Sequence, residues 1–132
     1  MKVLLDTNVV SVYINGRSPT LRDKLKTVSP FDIHLCSIVR AELCVGIAKS
    51  SDPVQSRVKV SAFTDLFASL PFDDAAAECY GKIRAHLEKT GNLIGPNDLM
   101  IAAIAVSRNL TLITHNTAEF SRVPDLHWQD WQ

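Results

Sequence analysis

A chain of 132 residues, 46% hydrophobic and 21% charged, has the size and composition of one compact folded domain. Its 14 basic and 14 acidic residues cancel to a formal net charge of zero, which disfavours a generally basic nucleic-acid binder unless a local site neutralises acids with cations. No apolar run approaches the roughly 20 residues of a membrane helix, and Asp6 interrupts the opening Met1-Lys2-Val3-Leu4-Leu5 too early for a secretory leader, so the cytoplasm is the expected compartment.

Lys2 to Leu5 reads as a short buried strand, and Asp6-Thr7-Asn8 offer capping side chains for a helix from Val9 to Ile14. Asn15-Gly16-Arg17-Ser18-Pro19 breaks it, and Thr20 to Val28 forms a second helix. Arg17, Arg22, Lys24 and Lys26 are the densest basic stretch, which a solvated face explains as well as a phosphate track does. Ile33 to Cys36 is the second strand, with Ser37 as N-cap of a helix to about Lys49. Pro53 opens a helix that carries Val58, Ala62, Phe63, Leu66 and Phe67 toward Ser69, and Leu70-Pro71-Phe72 is extended because a residue before proline disfavours helix. Asp74 to about Thr90 is helical and stops at Gly91-Asn92; Pro96 then opens a strongly apolar helix to Asn109. Thr111 to Thr114 is a strand, Asn116 to Phe120 a turn or short helix, and Leu126 to Trp128 the last strand.

No repeat or linker divides residues 1–132, so they form a single domain. Strands that alternate with helices and are apolar throughout call for a parallel sheet covered on both faces, in which ligands bind beyond the carboxyl ends of the strands. Cys36, Cys44 and Cys79 lack C-x-x-C or zinc spacing and read as reduced core thiols. The four histidines show no ligand pattern, although His115 stands between Thr114 and Asn116 in a candidate site loop.

Four acids sit where an apolar run ends or is interrupted: Asp6, Glu42, Asp98 and Glu119. Each has a plain structural alternative. Asp6 can cap the following helix, Asp98 suits the positive end of a helix dipole, Glu119 is spaced from Asn116 like a capping box, and Glu42 can belong to a charged stripe with Lys49. Their common placement favours one shared role, because clustered carboxylates repel unless protonated or bound to a cation. All-oxygen ligands select Mg²⁺ or Mn²⁺, and such a centre suits phosphoryl chemistry. Thr7, Asn8, Ser37, Asn97, Thr114 and Asn116 lie close enough in sequence to support these carboxylates or a water.

Taken together, Leu4-Leu5-Asp6-Thr7-Asn8, Ser37-Ile38-Val39-Arg40-Ala41-Glu42-Leu43, Ile94-Gly95-Pro96-Asn97-Asp98-Leu99-Met100-Ile101-Ala102-Ala103 and Thr114-His115-Asn116-Thr117-Ala118-Glu119-Phe120 resemble a PIN domain. The resemblance is greater still to the VapC toxins of bacterial type II toxin–antitoxin systems. It implies an α/β/α sandwich with a short, mainly parallel central sheet. It also implies a Mg²⁺-dependent endoribonuclease, with Mn²⁺ able to substitute, that cuts RNA by metal-activated water. By matching position Asp6, Glu42 and Asp98 are the core acids, with Asp6 and Asp98 the main metal ligands and Glu42 and Glu119 further candidates. Transfer RNA is the implied substrate, a VapB-type antitoxin the implied protein partner, and a homodimer the implied assembly. Many PIN domains carry Asp where this chain has Asn116, so Glu119 is expected to take the fourth acidic place and a single tightly held ion is expected. The competing readings are a phosphohydrolase with Asp6 as nucleophile and a metal-free binding module. The first usually needs an acid two residues on, where this chain has Asn8.

Overall fold

A computed structural model describes residues 1–132. Five strands form one sheet in the order β3-β2-β1-β4-β5, where β1 is Val3–Leu5, β2 Ile33–Cys36, β3 Ala68–Leu70, β4 Thr111–Ile113 and β5 His127–Gln129. Every pairing is parallel. Parallel neighbours need long crossovers, and the helices supply them: α1 (Thr7–Ile14), α2 (Pro19–Lys26), α3 (Ser37–Ala48), α4 (Pro53–Thr64), α5 (Asp74–Lys89), α6 (Pro96–Ser107) and α7 (Thr117–Phe120). Val3, Leu4 and Leu5 are all fully buried. Because successive strand side chains point to opposite faces, helices must cover both sides of the sheet, as the α/β/α expectation requires.

The central strands are as dry as their sequence suggests, but the edges are not. All of β5 and most of β3 are exposed, and each is only three residues long, a length that limits edge-to-edge association. β3 is also where the sequence reading is corrected. The helix from Pro53 ends at Thr64, and Ala68–Leu70 pairs with His34–Cys36 instead of continuing toward Ser69 as helix. The Arg40 guanidinium donates to the Thr64 carbonyl at 3.1 Å and satisfies the helix end. Phe63 and Phe67 then meet edge-to-face with centroids 5.0 Å apart, while Leu66 is left exposed. The helical spacing of those three residues thus came from a turn that packs two rings.

Other boundaries shift by one or two residues. Cys36 rather than Ser37 occupies the N-cap of α3, and its side chain makes no capping bond. α6 stops at Ser107, and Asn109 takes a left-handed φ of 54°, a conformation asparagine tolerates better than most residues. The three thiols are free, but only Cys36 is buried; Cys79 is half-buried and Cys44 exposed. The core-thiol expectation therefore holds for one cysteine of three. Cys44 sits next to the buried Leu43 on α3 yet on the outward side, because a helix turns 100° per residue.

Candidate active site

The strand order reverses between β1 and β4, because β2 and β3 lie on one side of β1 and β4 and β5 on the other. Such a switch point opens a crevice at the carboxyl ends of the strands, and Asp6 and Thr114 follow β1 and β4 there. Asp6 is 5% exposed and Thr114 fully buried. The Thr114 hydroxyl donates to Asp6 Oδ2 at 2.9 Å and accepts the Asn116 backbone N–H at 3.0 Å. Asp6 Oδ1 accepts the Thr7 N–H at 2.8 Å, so Asp6 also caps α1. The capping and site readings are compatible at this residue.

Glu42 comes from α3, whose buried face is Val39, Leu43 and Ile47. The carboxylate is half-buried at the margin of that face, and Thr7 Oγ1 donates to it at 2.6 Å. Asp98 lies in the first turn of α6, which Pro96 opens and a run of fully buried side chains from Ile101 to Ala105 anchors in the core. Asn116 Nδ2 reaches Asp98 Oδ2 at 3.4 Å. Asn116 makes no side-chain cap on α7. The Glu119 carboxyl stands within hydrogen-bonding reach of Asp98. The capping-box reading of Asn116 and Glu119 is thereby overturned, since both side chains turn toward Asp98.

The electrostatics follow from this crowding. Burial pushes the Asp6 carboxyl up; the Thr114 and Thr7 bonds pull it back, and Glu42 and Glu119 push it further. Asp98 is raised to about 7, first by burial and then by Asp6, Glu119 and Glu42. The helix dipole at its position favours the charged form, so these effects outweigh it. Burial also raises the Cys36 thiol, and Asp6 and Glu42 add to that shift.

A cleft of about 550 Å³ opens over these groups, with no hydrophobic residue in its lining. Asp6, Thr7, Asn8, Glu42, Asp98 and Asn116 line it, joined by Ser11 and His115. Ser11 was not singled out from the sequence, although it lies one turn beyond Thr7 and so on the same helix face. Ser37 and Asn97 are exposed and stand outside the lining, as do Glu119 and Thr114. A smaller groove of about 250 Å³ shares Thr7, Ser11 and Glu42 with the cleft and runs between α1, α3 and α4 to Lys59. The carboxylates do not form a closed cage: no group of three His, Cys, Asp or Glu side chains stands in a metal-holding arrangement. The donor set nevertheless fits a hard cation, being all oxygen and mutually repulsive, with Asp98 and Glu119 close enough to share a proton that a cation could displace.

The model of the PIN domain family matches residues 3–126. Ribonuclease VapC2 of Rickettsia felis is 36% identical over 132 residues, covering 99% of this chain and 98% of the relative. The chain belongs to the PIN-domain family, in its VapC ribonuclease branch. The tRNA(fMet)-specific endonuclease VapC of Shigella flexneri is 35% identical over 131 residues, with 99% and 98% of the two chains covered. Among solved structures, VapBC2 of Rickettsia felis bound to a DNA fragment from the promoter superposes with a TM-score of 0.94 at 34% identity, covering 100% of both chains. DNA-bound VapBC of Salmonella typhimurium gives 0.94 at 34% identity and covers 100% of this chain and 99% of that one. This PIN domain therefore has the architecture that its sequence motifs imply.

Next to the VapC-type cleft, Thr114 is the one buried hydroxyl that holds Asp6 and the Asn116 loop at once. Thr114→Val leaves a carboxylate oxygen and a backbone N–H without their partner, a cost of about 2–3 kcal/mol. Urea denaturation at pH 8 is the check. A loss below about 1 kcal/mol would show that the hydroxyl does not pin the loop.

Proposed function

We propose that this VapC-type chain is a divalent-metal-dependent endoribonuclease toxin that hydrolyses RNA phosphodiester bonds, with transfer RNA as substrate. The observation that carries this reading is the gathering of Asp6, Glu42, Asp98 and Glu119, from four separate elements, at the switch point of the sheet. Asp6 and Asp98 are the residues that would hold Mg²⁺ or Mn²⁺, with Glu42 and Glu119 beside them. When bound, such an ion polarises a phosphate oxygen and makes a hydroxide nucleophile available near neutral pH. The chain's own groups do the rest. Thr7 and Thr114 fix Asp6, Thr7 also orients Glu42, and Asn116 aims Asp98. The lining without apolar groups suits a charged backbone more than an apolar ligand.

The name of the Shigella flexneri relative supports transfer RNA as substrate, and the VapBC complexes support a VapB-type antitoxin as partner. Exposed Val45, Val54 and Val58 on α3 and α4 offer apolar surface for the antitoxin or for a second copy in a homodimer. No helix is long and apolar enough to cross a membrane, which accords with action on RNA in the cytoplasm.

The test is cleavage of a transfer-RNA pool by purified protein with Mg²⁺ or Mn²⁺, with and without a chelator. Discrete cleavage that the chelator abolishes is expected. Absence of any cut under every metal condition would remove the catalytic reading.

A further inference from the structure

His115 is the only residue lining the cleft that can carry positive charge; the other lining residues are acids or neutral amides and hydroxyls. Its ring, 58% exposed, is oriented by one partner. Its Nδ1 lies 2.8 Å from Asp130 Oδ2. A carboxylate only accepts, so Nδ1–H is the donor and the proton position on the ring is set. Asp130 is itself held, because its Oδ1 accepts the Gln132 N–H at 3.0 Å. The segment around it is anchored by Trp131, which is 5% exposed and donates through Nε1 to Gln129 Oε1 at 2.9 Å. The Thr114 N–H donates to the Gln129 carbonyl at 3.0 Å, tying the loop that bears His115 to the end of β5.

We propose that His115, positioned by Asp130, binds a phosphate of the RNA strand through Nε2 on the β5 side of the cleft. This rests on the ribonuclease reading above. Since Nδ1–H is taken by Asp130, Nε2 is the nitrogen left for substrate, and it donates to a phosphate oxygen when the ring carries both protons. A phosphate there would meet the one lining side chain able to carry a positive charge, which places the flanking backbone while the acids act on the scissile bond. Asp130 is a positioning residue and touches no substrate.

The test is steady-state cleavage of a transfer-RNA pool with saturating Mn²⁺ by wild type, His115→Ala, His115→Gln, His115→Asn and Asp130→Asn. His115→Ala should raise the apparent KM roughly ten-fold with kcat within about two-fold, the loss expected for one hydrogen bond to a charged group. Glutamine places its amide nitrogen where Nε2 was and should restore most of the binding. Asparagine places its amide where Nδ1 was, keeps the Asp130 contact, and should remain as weak as alanine. Asp130→Asn should raise KM by about three-fold. If asparagine matches wild type, or if alanine leaves KM unchanged in an enzyme that cleaves, the assignment of His115 is overturned while the ribonuclease reading stands. If wild type cuts no RNA, the ribonuclease reading fails first and His115 with it.

Discussion

Asp6→Asn is expected to lower RNA cleavage by at least about 10³-fold in kcat while the domain stays folded. The substitution preserves shape, so Oδ1 can still accept the Thr7 N–H that caps α1. The other position now presents an N–H₂ to Thr114, whose hydroxyl already accepts from Asn116. Thr114 can accept a second donor by turning its own proton away, at a cost of about 1 kcal/mol. Removing a charge that burial and neighbouring acids disfavour offsets part of that cost. The melting temperature should therefore move by only a few degrees. What is lost is the negative charge at the switch point, which no neighbour can replace without leaving its own partner. Cleavage within ten-fold of wild type, in a variant with a normal circular-dichroism melt, would take Asp6 out of the reaction.

The second large effect is a pH-dependent stability that Asp98→Asn should reduce, leaving the contribution of the same sign from the raised Asp6 carboxyl. An unfolded aspartate titrates near 3.8, whereas Asp98 in the fold titrates at about 7. The folded state therefore holds the proton more tightly than the unfolded state, and stability is highest below the unfolded value. It is lost as pH rises from about 4 through 7. A shift of that size in a dry site would be worth about 4 kcal/mol, but Asp98 faces an open cleft, and solvent screening reduces this to about 1–2 kcal/mol. Metal-free wild type should melt several degrees lower at pH 8 than at pH 5, and Asp98→Asn should be stabilised relative to it at pH 8 only. Divalent ion should restore the wild type at pH 8 and do nothing for Asp98→Asn. A wild-type protein whose melt is flat between these pH values would show that the carboxylates do not strain one another.

The sequence made Asp6, Glu42 and Asp98 legible because each interrupts a run of apolar residues where a charge needs a reason. It could not make their partners legible. Thr114 and Asp6 are 108 positions apart and meet only because β4 pairs beside β1. Glu119 and Asn116 were ambiguous for the opposite reason. Their local spacing satisfies a capping pattern, and only the approach of α6 draws both toward Asp98. Asp130 carried no signal, since its role depends on β5 docking beside β4.

The errors in the fold have similar causes. Phe63, Leu66 and Phe67 have helical spacing, yet the chain leaves the helix at Thr64 to supply β3, a strand stabilised by pairing with β2 more than by its own residues. Ser37 is a better capping residue than Cys36 by type, but β2 runs to Cys36 as expected and the helix starts directly at Ser37, one residue earlier than capping preference alone would set. Cys44 lies in an apolar stretch and still faces outward. Apolar composition marks a buried segment, and the helical phase decides which of its residues are inside.

Calorimetric titration of Mn²⁺ into metal-free protein at pH 8 bears on the joint role of the four carboxylates. Saturable binding of at least one ion to the wild type is expected, weakened by at least about 100-fold or lost in Asp6→Asn and in Asp98→Asn. Wild-type protein that binds no ion, or Asp6→Asn protein that binds as tightly as wild type, would contradict a shared metal site at the end of the sheet.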